Sequence, residues 1–300
     1  MPNTREIQER RKSIGDTMKI TNAMYMISST KLRKARRELD VTERYFYTLQ
    51  SVIARMLRHM PAEVGAHRYI ENEKHSAGDP KSLTAGFLVI TADKGMAGAY
   101  NHNVLKAVEE EMKNFADSKL LVVGEVGRQY FHTKGIPVEE HFLYTAQNPT
   151  QHRARLISAK ILDMYDEGLV DEVYVVYTSM LNAAATETRF EQLLPLFRPD
   201  FSGEAIPMEV YHEEFRFEPS LDAVMDNVIP EYVLGYVYGA LMESYCSEHS
   251  ARMTAMQSAN DSAKQMLAEL SVEYNRVRQG AITQQITEVA GGARAQKKHK

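Results

Sequence analysis

Between Thr4 and Met60 the chain contains no proline and one glycine, Gly15. A run of that length without a helix breaker predicts one very long helix. Alternating steps of four and three from Ile14 meet Met18, Thr21, Tyr25, Ser28, Leu32, Ala35 and Leu39, then Thr42, Phe46, Leu49, Ile53, Met56 and Met60. The seam is mixed before Leu32 and strongly apolar after it. A period of 3.5 residues is that of a left-handed coiled coil. Roughly 55 residues rising 1.5 Å each predict a rod of about 80 Å.

The other end of the chain repeats the pattern. The same steps from Leu221 meet Met225, Val228, Tyr232, Gly235, Gly239, Met242, Cys246 and His249, and continue through Met253, Met256, Asn260, Ala263, Leu267, Leu270, Tyr274, Val277 and Ala281. Pro219-Ser220 reads as the start, with Ser220 as N-cap, and Pro230 predicts a kink or a restart. The small residues Gly235, Gly239 and Ala240 predict that another backbone passes close by. Packing the two long helices on each other, antiparallel, is the simplest way to cover both seams. The alternative is two separate helices, each lying on a domain.

Between them the period changes. Ala85–Ala92, Lys119–Gly124 and Val170–Thr178 are short apolar runs that read as buried strands, and Met208–Phe217 alternates weakly, as an edge strand does. Helical stretches fall near Asn103–Phe115, Gly127–Lys134 and Arg153–Glu167. Alternating strands and helices imply a small α/β layer around a mostly parallel sheet. The expected fold class is thus α/β: a long antiparallel left-handed coiled coil from the terminal helices plus a small Rossmann-like α/β domain without a nucleotide site. The expected divisions are an N-terminal helix at 1–60, a polar linker at 61–82, the α/β domain at 83–218 and a C-terminal helix at 219–300.

Composition narrows the function. Hydrophobic residues make up 44% and charged residues 25% of the 300, enough for a real core. A lone cysteine, Cys246, excludes an intrachain disulfide. Met1–Lys12 is charged and lacks the apolar stretch of a secretory signal, and its acidic residues Glu6 and Glu9 argue against a transit peptide. Val228–Met242, the longest apolar stretch, is interrupted by Pro230 and Glu231 and is too short to span a bilayer. A soluble protein with no direct bilayer insertion is expected. Net charge is −4, yet residues 1–60 hold 13 Lys and Arg against six Asp and Glu. That asymmetry suggests that the N-terminal helix meets an acidic surface; a solvated helix face is the plainer alternative.

Motifs for chemistry are sparse. No GxxxxGK[ST] occurs and no GxGxxG follows the first strand. Asp93-Lys94-Gly95-Met96-Ala97-Gly98 could seat a phosphate at a helix N-terminus, but a plain strand-to-helix turn fits the spacing better, and Gly124-Glu125-Val126-Gly127 is weaker still. The ten histidines form no HExxH or paired metal spacing, and Glu139-Glu140-His141 reads as surface charge. Lys31, Arg33 and Lys34, with Arg36 and Arg37, form a basic stretch. Little aromatic interleaving accompanies it, so a carboxylate-rich protein surface suits it better than nucleic acid. No catalytic residue, cofactor or metal is expected.

Three segments carry a resemblance. They are Met18-Lys19-Ile20-Thr21-Asn22-Ala23-Met24-Tyr25-Met26 with Lys31, Arg33 and Lys34; Val89 to Asn101 around Asp93-Lys94-Gly95; and Ser247-Glu248-His249 with Arg252 to Met256, Tyr274 to Thr283, Glu288 and Gly291-Gly292-Ala293. Together they resemble the γ subunits of F-type ATP synthases, bacterial type, over nearly the whole chain. The chain departs from that family at Gln285, where a carboxylate is usual, at Asn22, often Lys, and at Ala97, often Cys. It has no inserted cysteine pair, so redox control is not expected. The resemblance implies a central-stalk rotor, without catalytic residues of its own, bound one copy per hexamer of α and β subunits, with the ε subunit and the membrane c-ring as further partners. It places the protein peripherally on the cytoplasmic face of a bacterial cell membrane. It implies that Arg252, Gln279 and Thr283 hydrogen-bond a β-subunit loop, that Met24 passes the β subunit's acidic lever beside Lys31, Arg33 and Lys34, and that Ile282, Ile286 and Val289 turn in an apolar bearing. Two other readings stay open: a coiled-coil adaptor without a rotary role, and a nucleotide-dependent enzyme with its site at Asp93–Gly98.

Overall fold

The computed structural model describes residues 4–59, 67–70, 80–182, 185–196 and 217–298. They fall into two compact units, Met1–Ser28 with Met253–Lys300, and Ser29–Arg252.

The larger unit is built on a four-stranded sheet. Its strands are β1 (Thr84–Ile90), β2 (Asp117–Val123), β3 (Glu172–Met180) and β4 (Thr186–Leu194), in the order β2-β1-β3-β4. β1 is parallel to β2 and β3, and β4 is antiparallel to β3. Successive side chains on a strand face opposite ways, and here each face meets its own helices. Ala85, Phe87 and Val89, with Leu120, Val122 and Val176, pack on one side against Val104, Leu105 and Val108 of α2 (Tyr100–Glu111) and Phe131 of α3 (Glu125–Thr133). Leu88, Ile90, Leu121, Val123, Val173 and Val175 point the other way. They meet Ala154, Ile157 and Ile161 of α4 (Gln151–Asp166), Ile53, Met56 and Leu57 of α1 (Thr4–His59), and Met225, Ile229, Val233 and Val237 of α5 (Leu221–Lys298). The three apolar runs therefore become the three buried parallel strands.

The edge strand differs from expectation. β4 reads Thr-Glu-Thr-Arg-Phe-Glu-Gln-Leu-Leu and is buried only at Leu193 and Leu194. Its charges are what an exposed edge requires, and they hid it from a search for apolar runs. Of the expected strand Met208–Phe217, residues 208–216 lie outside the described residues and Phe217 is in no strand.

The seam positions named from sequence are covered along most of both helices, but Ala281, the last of them, is exposed. Every described member from Ile14 to Met56 is buried or half-buried, as is every member from Leu221 to Val277; Met60 lies outside the described residues. In the larger unit Phe46 stacks on Tyr232 at 5.5 Å and meets Tyr236 edge-on at 5.7 Å. In the smaller unit Gln8 Nε2 donates to Tyr274 OH at 3.0 Å, Arg11 lies 5.6 Å from the same ring, and Thr21 Oγ1 bonds Asn260 Oδ1. Ser220 caps α5 by accepting from Ala223 N at 3.2 Å.

Of the kink or restart expected at Pro230, there is no restart: α5 runs through it, with Ile229 and Val233 fully buried on either side. A second backbone close to Gly235 and Gly239 is not found either. A Cβ on Gly235 would meet Phe46 Cδ2 at 3.4 Å and Leu49 Cδ2 at 4.0 Å, and one on Gly239 would meet nothing. Aromatic and aliphatic side chains, not a second backbone, occupy that space.

Candidate functional site

In α/β domains the loops at the carboxyl ends of parallel strands are where ligands bind. Here the turns after β1 and β2 are closed by the chain itself. The turn after β2 brings four amides to the N-terminus of α3, where an anion would rest. Each already has an acceptor: Glu125 N donates to Asp93 Oδ1 at 3.1 Å, Val126 N to Ala92 O at 3.1 Å, Gly127 N to Thr91 Oγ1 at 3.1 Å and Arg128 N to Gly124 O at 3.4 Å. Gly124 has φ 97°, and a Cβ there would stand 2.3 Å from Thr91 O. Its glycine serves a close strand-to-strand approach.

Asp93 fills the remaining space. Its Oδ2 accepts from Ala146 N at 3.1 Å, from Gln147 N at 3.2 Å and from Thr145 Oγ1. Arg153 Nη1 then ties down Thr145 O at 2.9 Å and Gln147 O at 2.7 Å. The Asp93–Gly98 segment is thus a structural turn, its carboxylate standing where a phosphate would.

The far side of that turn meets α5. Arg252, 6% exposed, donates from Nη2 to Lys94 O at 3.0 Å and to Gly95 O at 3.1 Å, and from Nη1 to Glu248 Oε1 at 2.5 Å. Tyr100 OH and Ser244 Oγ are 2.6 Å apart. Tyr245 OH donates to Asn148 Oδ1 at 3.2 Å. Ala92, Ala97 and Tyr100 form an apolar patch against Ala251. Burial raises the Glu248 carboxyl above the usual range, with Arg252 opposing the shift. Burial, then the charges of Arg252 and Lys31, push the His249 imidazole down to about 3, so it is neutral. Its Nδ1 lies 3.4 Å from Arg252 Nη1 and accepts, which puts the ring proton on Nε2. The Cys246 thiol is pushed up to about 12 by burial and is inert as a nucleophile.

The residues singled out from sequence fall in both units. In the larger one Arg252 is buried, Lys31 is half-buried, and Arg33 and Lys34 are exposed. In the smaller one Met24 is half-buried and Gln279 and Thr283 are exposed; Ile282, Ile286 and Val289 are 46%, 64% and 74% exposed. Met24 and Gln279 are not brought together. Tyr25 shares a groove with Met253 and Gln257, and Gln279 lies some 30 Å farther along the helix at 1.5 Å per residue. Sequence reasoning placed Asp93 in the turn but missed its partners, and it missed Arg153, Tyr100 and Ser244 as contacts. It also missed Glu248 as a partner, although its spacing of four from Arg252 in a covered stretch was a usable signal.

Among the described residues no cluster could hold a metal ion, and no helix is long and apolar enough to cross a membrane. Comparison with known proteins places the whole chain. The ATP synthase family profile matches residues 3–296. A curated ATP synthase gamma chain from Ruminiclostridium cellulolyticum is 42% identical over 298 residues, 98% of each chain. The chain belongs to the ATP synthase gamma chain family. A second curated gamma chain, from Caldanaerobacter subterraneus, is 42% identical over 96% of this chain and 98% of its own. The fold is similar to a chain in the Euglena gracilis mitochondrial ATP synthase, with TM-score 0.66, 15% identity and coverage of 97% and 94%. A chain of the Tetrahymena thermophila central stalk and c-ring aligns with TM-score 0.57 and 24% identity, covering 80% of this chain and 99% of that one. In this gamma chain the turns after β1 and β2 are filled by the chain's own groups, and Ser244 to Arg252 of α5 pack against the first of them.

Proposed function

We propose that this chain is the central-stalk rotor of a bacterial F-type ATP synthase, a non-catalytic subunit that couples ion-driven rotation to conformational cycling of the catalytic β subunits. The reading assigns residues 1–60 and 219–300 to a left-handed antiparallel coiled-coil shaft, 61–82 to a linker and 83–218 to a Rossmann-like foot without a nucleotide site. The shaft enters a hexamer of α and β subunits, one copy per hexamer, and the foot lies near the ε subunit and the c-ring, on the cytoplasmic face of the membrane.

The observation that carries the reading is the end of α5. From Arg278 to Gly292 every residue is exposed, yet Ile282, Ile286 and Val289 follow one another at steps of four and three and form an apolar stripe. Such a stripe fits a surrounding collar, and Gln279 and Thr283 beside it are free to hydrogen-bond a β-subunit loop. Met24 with Lys31, Arg33 and Lys34 suits an acidic lever of the same partner.

The mechanism follows from symmetry. Three identical catalytic pairs around one asymmetric shaft each meet a different face of it, so each holds a different conformation. Driving a site from 1:99 to 99:1 takes about 5.5 kcal/mol of differential contact. The test is ATP turnover by α and β subunits of the same organism with and without the chain. A stable hexamer carrying one copy, with turnover that depends on it, is expected. A chain that neither binds the hexamer nor changes turnover returns the coiled-coil adaptor to first place.

A further inference from the structure

The resemblance assigns Arg252 a direct hydrogen bond to the β subunit, but the side chain has nothing left to give. A guanidinium carries five N–H donors. Nε is 3.4 Å from Gly95 O, Nη2 reaches Lys94 O and Gly95 O, and Nη1 reaches Glu248 Oε1 and His249 Nδ1. All five point at acceptors of this chain, in a side chain buried from solvent.

What Arg252 grips is the middle of the turn after β1. Asp93 anchors one end through its carboxylate, and at the other Tyr100 N donates to Ala97 O at 3.2 Å. Between these, Met96 has φ 62°, a conformation that disfavours any side chain with a Cβ, and its side chain is 60% exposed. A strained residue holding an apolar side chain outward needs a restraint, and Arg252 supplies one to the two residues just before it.

We infer that Arg252 is a positioning residue: it clamps Lys94 and Gly95 to α5 so that Met96 is held outward, and its influence on a partner travels through this turn. The inference deepens the rotor reading, but half of its test does not depend on it. Nitroxide labels on Met96→Cys and on Gln129→Cys, an exposed site on α3, give a distance distribution by pulsed electron spin resonance in the full chain. Cys246 is buried and stays unlabelled. With Arg252 present the distribution is narrow. In Arg252→Met, which keeps the apolar stem and loses every donor, it broadens about two-fold, and Arg252→Lys, which retains donors for one carbonyl, restores part of the sharpness. Circular dichroism separates a folded variant from a collapsed one, and if Arg252→Met does not fold, the Lys variant decides by an intermediate width. An unchanged width overturns the inference.

The second half uses turnover of the reconstituted hexamer with Met96→Ala, Arg252→Met and both. If the influence runs through the turn, the double variant is no slower than the worse single one, within about two-fold. Effects that multiply overturn it in favour of a direct contact. If the unmodified chain fails to bind the hexamer, the rotor reading fails alone and the distance measurement still decides the clamp.

Discussion

Glu248→Ala probes the junction most directly. Glu248 and Arg252 are both nearly covered, with side-chain exposures of 6% and 7%, and their contact is 2.5 Å. Removing one member of such a buried pair costs about 3–5 kcal/mol, because the survivor keeps its charge without a counter-charge. Two features favour the low end. Arg252 retains the carbonyls of Lys94 and Gly95, and the raised carboxyl of Glu248 means that burial outweighs attraction there. A loss of about 3 kcal/mol is expected; with a urea slope of about 2–3 kcal/mol/M, the midpoint falls by roughly 1–1.5 M. Tyrosine fluorescence isolates the transition, since the chain has no tryptophan and only Tyr25 and Tyr274 of its 16 tyrosines fall outside residues 29–252. Glu248→Leu with Arg252→Met, which leaves no charge buried without its partner, should recover part of that loss, while the bonds to the Lys94 and Gly95 carbonyls stay lost. A midpoint shift below about 0.3 M for Glu248→Ala, or a double variant as weak as the single one, would refute the reasoning.

Gly124→Ala should cost at least about 2 kcal/mol, read as a urea midpoint, because its φ is 97° and a Cβ would clash with Thr91 O at 2.3 Å. Ile286→Asp should leave the thermal midpoint of the isolated chain within about 1 °C, since the site is 64% exposed, while lowering turnover of the hexamer. Alkaline pH should weaken the fold. Cys246 is raised from 9.0 to about 12, and Tyr69 and Tyr245 from 10.0 to about 12, chiefly by burial. The native state then holds protons that the unfolded chain has released, so stability is fully present below about pH 9 and declines as pH rises toward 12. Urea midpoints at pH 8 and pH 10.5 check the sign, and an equal or higher midpoint at pH 10.5 would contradict it.

The elements legible in the sequence are those whose burial is periodic. The seam from Ile14 to Met56 needed only steps of four and three, and β1 to β3 needed only continuous apolar runs, because burial on both faces leaves no room for polar residues. β4 escaped because an edge strand is selected for charge, and the restart that Pro230 allowed did not occur because packing on both sides of it outweighed the local rule. The junction was half visible. Arg252 stood out by resemblance, but its acceptors within this chain, the backbone carbonyls of Lys94 and Gly95, carry no signature in a sequence. Asp93 was read as part of a turn, correctly, but its four donors come from 32 to 54 residues away, a distance that no local pattern spans.

Which contacts at the junction could bear load is decided by magnitude. Tyr100 to Ser244 and Tyr245 to Asn148 are neutral hydrogen bonds of about 1 kcal/mol each, and the two charge-assisted bonds from Arg252 to the turn add about 1.5–3 each. That is roughly 5–8 kcal/mol, about the size of the 5.5 kcal/mol bias that switches a catalytic site, with almost no margin. The apolar stripe of α5 is larger. Met225, Ile229, Val233, Val237 and Leu241 are all at most 2% exposed, and at about 1.5–3 kcal/mol per buried side chain they supply some 7–15 kcal/mol. Apolar burial has no direction, however, and resists separation more than sliding. Hydrogen bonds are directional, so the stripe holds the helix on the sheet while the polar clasp fixes its rotation about its own axis. Losing the clasp should therefore leave the helix docked and blur its angular register, whereas a truncation such as Val233→Ala should loosen the docking itself.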